Sequence, residues 1–196
     1  MPGILEYLPY RQRDLTSRRD SVHHPYLAGH GYACMRVDLR GTGDSEGVLL
    51  DEYLETEHRD GEQVLAWLAD QPWCNGRLGM MGISWGGFNS LQIAARRPEN
   101  LEAIAISSFT DDRYGDDMHF MGGCLLSDNL AAAGTMFAHA TMPPDPATVG
   151  DRWLELWRER LEAGGPWADN WLSHQRRDDY WRRASVGEDY SDIRIP

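Results

Sequence analysis

The stretch that most limits what this chain can become is Gly82-Ile83-Ser84-Trp85-Gly86. An apolar strand pattern, Leu78 to Ile83, runs directly into a helical one, Phe88 to Arg97, with G-x-S-x-G at the junction. A serine on so sharp a strand-to-helix turn takes a strained backbone conformation. The residues two before and two after it must be small, or their Cβ atoms would collide across the turn. Gly82 and Gly86 meet that need. The turn lifts the Ser84 hydroxyl above the sheet and sets the Trp85 N–H at a helix N-terminus, where developing negative charge is stabilised. By itself the pattern also fits a Gly-rich turn with a surface serine; the strand before it and the helix after it favour the nucleophile elbow.

Strand and helix patterns alternate around this point. Ile4 to Leu8 reads as a strand ended by Pro9, Ser21 to Gly29 as a short helix, and Ala33 to Asp38 as the next strand. From Tyr53 to Gln71, Leu54, Val64, Leu65, Trp67 and Leu68 recur at helical spacing among charges, and Pro72 stops the run. Leu101 to Ile106 gives one more strand after the elbow helix. Such alternation predicts an α/β fold, a mostly parallel sheet with flanking helices on both faces. A core strand beginning so near Met1 and a strand-like Asp192 to Pro196 lead us to expect truncation at both ends, hence bare sheet edges and poor solubility of residues 1–196 alone.

The pattern changes after Ser108. Asp111, Asp112, Asp116 and Asp117 crowd a loop, Met118 to Ala140 is rich in Met and Ala, and Pro143-Pro144-Asp145-Pro146 breaks the chain. The carboxylates suit either a metal or, more commonly, the capping and turn positions of a solvated loop. Asp151 to Ala163 reads as a helix with Trp153, Leu154, Leu156, Trp157 and Leu161 on its apolar side. Residues 111–182 are thus expected to form a helical cap inserted after a core of residues 1–110, with 183–196 returning to the core. Trp167 and Trp171 are expected to pack inside the cap, with one tryptophan a candidate to line a pocket.

Composition mainly excludes. A formal charge of −12 over 196 residues, with no compensating basic run, argues against nucleic acid or an anionic membrane as partner. No apolar stretch reaches the roughly 18 residues of a spanning helix. Cys34, Cys74 and Cys124 are odd in number and lack metal spacing, so neither a disulfide framework nor a zinc site is expected, and a cytoplasmic setting fits. No metal or cofactor is expected, and oligomeric state cannot be read.

Four motifs occur together in order: Pro9-Tyr10; Asp38-x-Arg40-Gly41-x-Gly43-x-Ser45-x-Gly47; Pro72-Trp73-Cys74-Asn75-Gly76; and Gly79-x-x-Gly82-x-Ser84-x-Gly86. In these the chain resembles the central section of the cocaine esterase and X-prolyl dipeptidyl-peptidase family, the CocE/NonD hydrolases of α/β-hydrolase fold. The resemblance implies that Ser84 is an acyl-enzyme nucleophile acting on a small-molecule ester, amide or peptide. It implies that Trp85, where the family commonly has Tyr, lends its backbone N–H to the oxyanion, and that the Tyr10 hydroxyl is the second donor. Read as a residue alone, Tyr10 also suits the lesser alternative of a loop tyrosine half buried for packing. Asp38 and Arg40 are assigned to loop architecture, and His119 and Phe120, early in the cap, to substrate contact.

The fold's order of nucleophile, acid, then histidine places the acid and the base beyond Pro196. Among the seven histidines, His119 is the one stand-in for a base, against the blander reading of a cap histidine. The chain is therefore expected to be a nearly inactive piece of a serine hydrolase. The rivals are a non-catalytic remnant or binding module of the same fold, and an assembly in which another chain supplies the missing strands.

Overall fold

In the computed structural model, which describes residues 1–196, four parallel strands form the central sheet. They are β1 (Gly3–Leu8), β2 (Ala33–Asp38), β3 (Leu78–Ile83) and β4 (Leu101–Ser107), in the spatial order β2-β1-β3-β4. β1 pairs with β2 along its whole length, Gly3 with Ala33 through Leu8 with Asp38, and with β3 from Gly3 opposite Leu78 to Leu5 opposite Met80. The four strands expected within residues 1–110 are thus observed within a residue or two of their expected ends.

Alternation along β1 sends side chains to two helical layers. Leu5 and Tyr7 are buried with Leu65 and Leu68 of α2 (Glu55–Ala69) and Ile93 of α3 (Trp85–Ala95) in one apolar cluster. Gly61 allows that close approach, because a Cβ there would sit 2.5 Å from Ile93 Cδ1 and 3.1 Å from the Tyr7 ring. Glu6 serves α1 (Ser17–Gly29): its carboxylate, 4% exposed, meets Arg19 at 2.7 Å and His24 at 3.0 Å. A charge inside a central strand is tolerated because the Arg19 guanidinium of the helix reaches it. Two expectations need correction. α1 begins at Ser17 rather than Ser21, and Trp67, counted on the buried side of α2, is 56% exposed.

Beyond β4 the chain forms a two-stranded hairpin, β5 (Phe120–Met121) with β6 (Cys124–Leu125). Then come α4 (Asp128–Thr141), α5 (Pro146–Val149), α6 (Trp153–Ala163), α7 (Ala168–Ser173) and α8 (Asp179–Arg182). This part has no core of its own. Phe120, Ala133, Met136, Ala140, Trp167, Trp171 and Trp181 join Trp85, Tyr53 and Phe88 in the same apolar cluster as the sheet. α6 departs from its expected apolar side: of the five residues assigned to it only Leu156 is buried, while Leu154 and Leu161 are exposed. Residues 192–196 form no strand, although the Ile104 N–H donates to the Pro196 carbonyl at 2.9 Å on the outer edge of β4. No helix is long and apolar enough to cross a membrane.

Candidate active site

Ser84 sits between the end of β3 and the first turn of α3 with φ 54° and ψ −121°, a left-handed conformation that is costly for a residue with a Cβ. The flanking glycines make it feasible. A Cβ on Gly82 would lie 2.3 Å from the Gly86 carbonyl, and one on Gly86 would lie 2.8 Å from Leu8 Cδ2. The Ser84 N–H donates to the Ser107 carbonyl at 3.0 Å, fastening the turn to β4, and the Ser84 carbonyl accepts from Gly87 and Phe88 to start the helix.

Tyr10 arrives from the loop after β1. Its hydroxyl donates to Ser84 Oγ at 3.0 Å and accepts from the Trp85 N–H at 3.3 Å. Burial raises the Tyr10 pKa, with its bonds to Ser84 and Trp85 opposing, so the phenol stays a neutral donor. The sequence-predicted trio Ser84, Trp85 and Tyr10 therefore meets at one point. That point opens into a cleft of about 600 Å³ whose walls come from both the sheet and the cap, including Phe109, Met118, Met136, Asp117 and His139. No histidine bonds to Ser84 Oγ; Tyr10 is its only side-chain partner.

His119 and Phe120, expected at the substrate, lie behind the cleft wall, 0% and 2% exposed and absent from its lining. The physical reason is a buried charge network. His119 Nε2 lies 2.7 Å from Glu52 Oε1, its Nδ1 lies 2.7 Å from Asn129 Oδ1, and Trp171 and Trp181 pack on its ring. Asn129 Nδ2 is committed to the carbonyls of His119 and Leu126, so its Oδ1 must accept and both ring nitrogens donate. An imidazolium results: burial would lower the His119 pKa, but Glu52 and Asp117 together raise it. Arg113 also bonds the Glu52 carboxylate. Neither ring nitrogen is free to serve Ser84.

The loop carboxylates divide. Asp112 accepts from the Tyr114 and Gly115 N–H groups, as a turn residue does. Asp117 faces the cleft, its pKa pushed up to about 6 by burial and the nearby Glu52 against the pull of His119. Asp38 and Arg40 hold the glycine-rich loop as expected: Asp38 accepts the Gln12 N–H and pairs with Arg36, and Arg40 pairs with Asp60 at 2.7 Å. Glu6, Asp20 and His24 converge with ligand-like spacing under α1, but Arg19 and Arg36 already neutralise these carboxylates. The cysteines are free.

Two residues that sequence reasoning passed over stand close to the elbow. His139 lines the cleft, edge-on to Tyr10 at 6.4 Å between ring centroids. Glu57, on the first turn of α2, accepts from the Trp85 indole Nε1 at 2.6 Å while only 3% exposed. Spacing gave no signal for either, since Glu57 lies in a run of charged and polar residues, Glu55-Thr56-Glu57-His58-Arg59-Asp60.

A parallel sheet with helices on both faces and a strained serine at its strand-to-helix turn defines an α/β-hydrolase. Over residues 1–196 the sequence matches the X-Pro dipeptidyl-peptidase (S15) family, and the chain belongs to that family. It is 26% identical to cocaine esterase of Rhodococcus sp. (strain MB1 Bresler) over all of the chain and 38% of that relative. It is 29% identical to a putative Xaa-Pro dipeptidyl-peptidase of Streptomyces avermitilis over 97% of the chain and 34% of that relative. A solved CocE/NonD family hydrolase from Staphylococcus aureus has the same fold with TM-score 0.75 at 21% identity, covering 100% of this chain and 35% of that one. The chain thus spans little more than a third of the length of the relatives it matches.

Proposed function

We propose that the protein is a serine hydrolase cleaving acyl esters or amides, peptides among them, through an acyl-Ser84 intermediate. The observation that carries this reading is the meeting of a strained Ser84 with the Tyr10 hydroxyl and the Trp85 N–H at the mouth of a cleft. Ser84 Oγ attacks the substrate carbonyl carbon and the bond to the departing alcohol or amine then breaks, leaving acyl-Ser84 for water to hydrolyse; between attack and departure the carbonyl oxygen carries the negative charge. The phenol, released from Oγ, and the amide N–H both donate to that oxygen. Such donors act at full strength because they are held in place before the reaction begins. No metal or cofactor enters the chemistry.

The base that takes the serine proton comes from outside these residues in this reading, because no histidine bonds to Ser84 and His119 is locked to Glu52 and Asn129. The 196-residue piece alone is then a poor catalyst, and a single-turnover trap is the fitting assay. In the full-length protein a fluorophosphonate labels Ser84, and Ser84→Ala reduces labelling at least ~100-fold. Unchanged labelling in the variant rejects the assignment. Absence of labelling in the folded wild type would favour the rival, a non-catalytic binding module on the same scaffold.

A further inference from the structure

We propose that Glu57 positions the oxyanion site through Trp85, and that this buried carboxyl must carry its proton for the site to work. The inference rests on the hydrolase reading and extends it to a residue that touches neither serine nor substrate.

Trp85 does two things with one residue. Its backbone N–H faces Tyr10 Oη, where the oxyanion is to form, and its indole points inward to Glu57 Oε1. The ring is clamped between Tyr53, 5.0 Å away, and Trp167 of the cap, 5.9 Å away, and is 3% exposed. The indole bond fixes the ring's rotation. Held ring and held Cα go together, so the indole bond steadies the position of the N–H whose direction the elbow backbone sets, and a donor must hold its place closely to be worth its part in catalysis.

The protonation of Glu57 follows from its neighbours. Glu57 Oε2 and Asn89 Oδ1 are both buried without a hydrogen-bond partner, and the Asn89 side chain lies against the Glu57 carboxyl. Asn89 Nδ2 is already given to the Tyr7 carbonyl at 3.2 Å. One proton on Oε2, donated to Asn89 Oδ1, satisfies both atoms. No cation faces the group. From β1 comes neutral Tyr7, bonding the Glu57 carbonyl at 3.1 Å; from the preceding loop come Tyr53 and the charge of Glu52; from α3 come only the indole and Asn89. Burial accordingly pushes the Glu57 pKa up to about 8, its bond to the Trp85 indole pulling against it and Glu52 adding to it. Above that pH a carboxylate appears in a dry site beneath the elbow, and it opposes the negative charge of the transition state.

The test uses two readouts on the full-length protein. The indole ¹H–¹⁵N signal of Trp85, assigned by its loss in Trp85→Phe, is followed from pH 6 to 10. The rate of fluorophosphonate capture by Ser84 is measured over the same range. In the wild type the indole signal should inflect near pH 8 and capture should fall roughly tenfold or more by pH 9.5. In Glu57→Gln, which keeps an acceptor for the indole and a donor for Asn89, the inflection and the alkaline fall should both vanish. Glu57→Leu, which leaves the indole unpaired, should slow capture about tenfold at every pH. A flat indole signal in the wild type, or an alkaline fall that persists in Glu57→Gln, overturns the role of Glu57 while Ser84-specific capture stands. Capture that persists in Ser84→Ala overturns the hydrolase reading, and the oxyanion role of Glu57 with it, whatever the indole shows.

Discussion

Glu52 and Glu57 are five positions apart in the chain, and both are shut away from water, yet the regions they occupy treat a carboxyl in opposite ways. At the joint between sheet and cap, burial would raise Glu52, but His119 and Arg113 outweigh it and bring the carboxyl down to about 2. On the floor of the elbow no cation approaches, and burial raises Glu57 to about 8. Depth is the same; partners decide. The joint is an ionic clasp: Arg113, stacked over Tyr53, Tyr180 and Trp181, and imidazolium His119 both come from the cap, and the carboxylate comes from the loop before α2. The floor is a neutral hydrogen-bonded pocket. That division suits a hydrolase, since a fixed negative charge is harmless where two cations cover it and harmful below a forming oxyanion.

The largest effect expected comes from breaking the clasp. Glu52→Gln keeps the shape but leaves Arg113 a buried cation without a carboxylate and His119 with only the more distant Asp117, at 4.0 Å, and such losses cost about 3–5 kcal/mol. Denaturant melts at pH 6 measure it; a change below about 1 kcal/mol would show that the clasp is not held by charge. Replacing Glu52, Arg113 and His119 together with apolar residues of like volume should recover most of the loss, because the desolvation penalty disappears along with the attraction.

Next is a pH effect that separates the two carboxyls. Glu57 has a folded pKa of about 8, above the ordinary carboxylate value, so between roughly pH 4.5 and 8 the unfolded chain releases a proton that the folded chain keeps. Stability falls across that window and levels off above it. Glu52 is depressed, so its contribution is present above the ordinary carboxylate range and is lost as pH falls toward about 2. His119 is raised, so its share is complete below about 6.5 and is lost as pH rises through its folded value. Glu57→Gln removes only the first of these. It should match the wild type near pH 4 and exceed it near pH 8 by an amount on the order of a few kcal/mol. A difference independent of pH would place Glu57 among ordinary ionised carboxylates.

The sequence revealed the elbow region more fully than the clasp, for a physical reason. Gly82 and Gly86 are demanded by local sterics, so five consecutive residues carry the whole argument for Ser84, whereas Tyr10 was legible only through the resemblance to the family, since no strand pattern by itself says that β1 lies beside β3. Strand limits were legible because apolar runs of this length have few alternatives. Glu57, by contrast, lies in Glu55-Thr56-Glu57-His58-Arg59-Asp60, which reads as a solvated helix face. It is buried by residues far away in the chain, Trp85 of another helix bonding its carboxyl and Tyr7 of β1 bonding its carbonyl. His119 lies 67 positions from Glu52, so no spacing rule joins them, and a histidine near the start of a cap looks the same whether it meets substrate or a buried acid. α6 failed differently. Apolar residues around much of its circumference leave periodicity unable to say which arc meets the protein, and Leu154 and Leu161 proved to be outside.

The smallest of the expected effects probes the neutral floor itself. Trp85→Phe retains an aromatic ring against Tyr53 and Trp167 and loses the indole N–H, so Glu57 Oε1 becomes a buried acceptor without its 2.6 Å donor. An unsatisfied buried acceptor costs about 1–3 kcal/mol, less than the loss of the clasp's carboxylate because no net charge is stranded. With one of its restraining hydrogen bonds gone, the Glu57 carboxyl should hold its proton to still higher pH, since that bond favours the ionised form. The stability loss should therefore be nearly constant from pH 5 to 7. A loss that grows steeply over that interval would mean that the floor carries a carboxylate after all, and that the two regions differ less than their partners indicate.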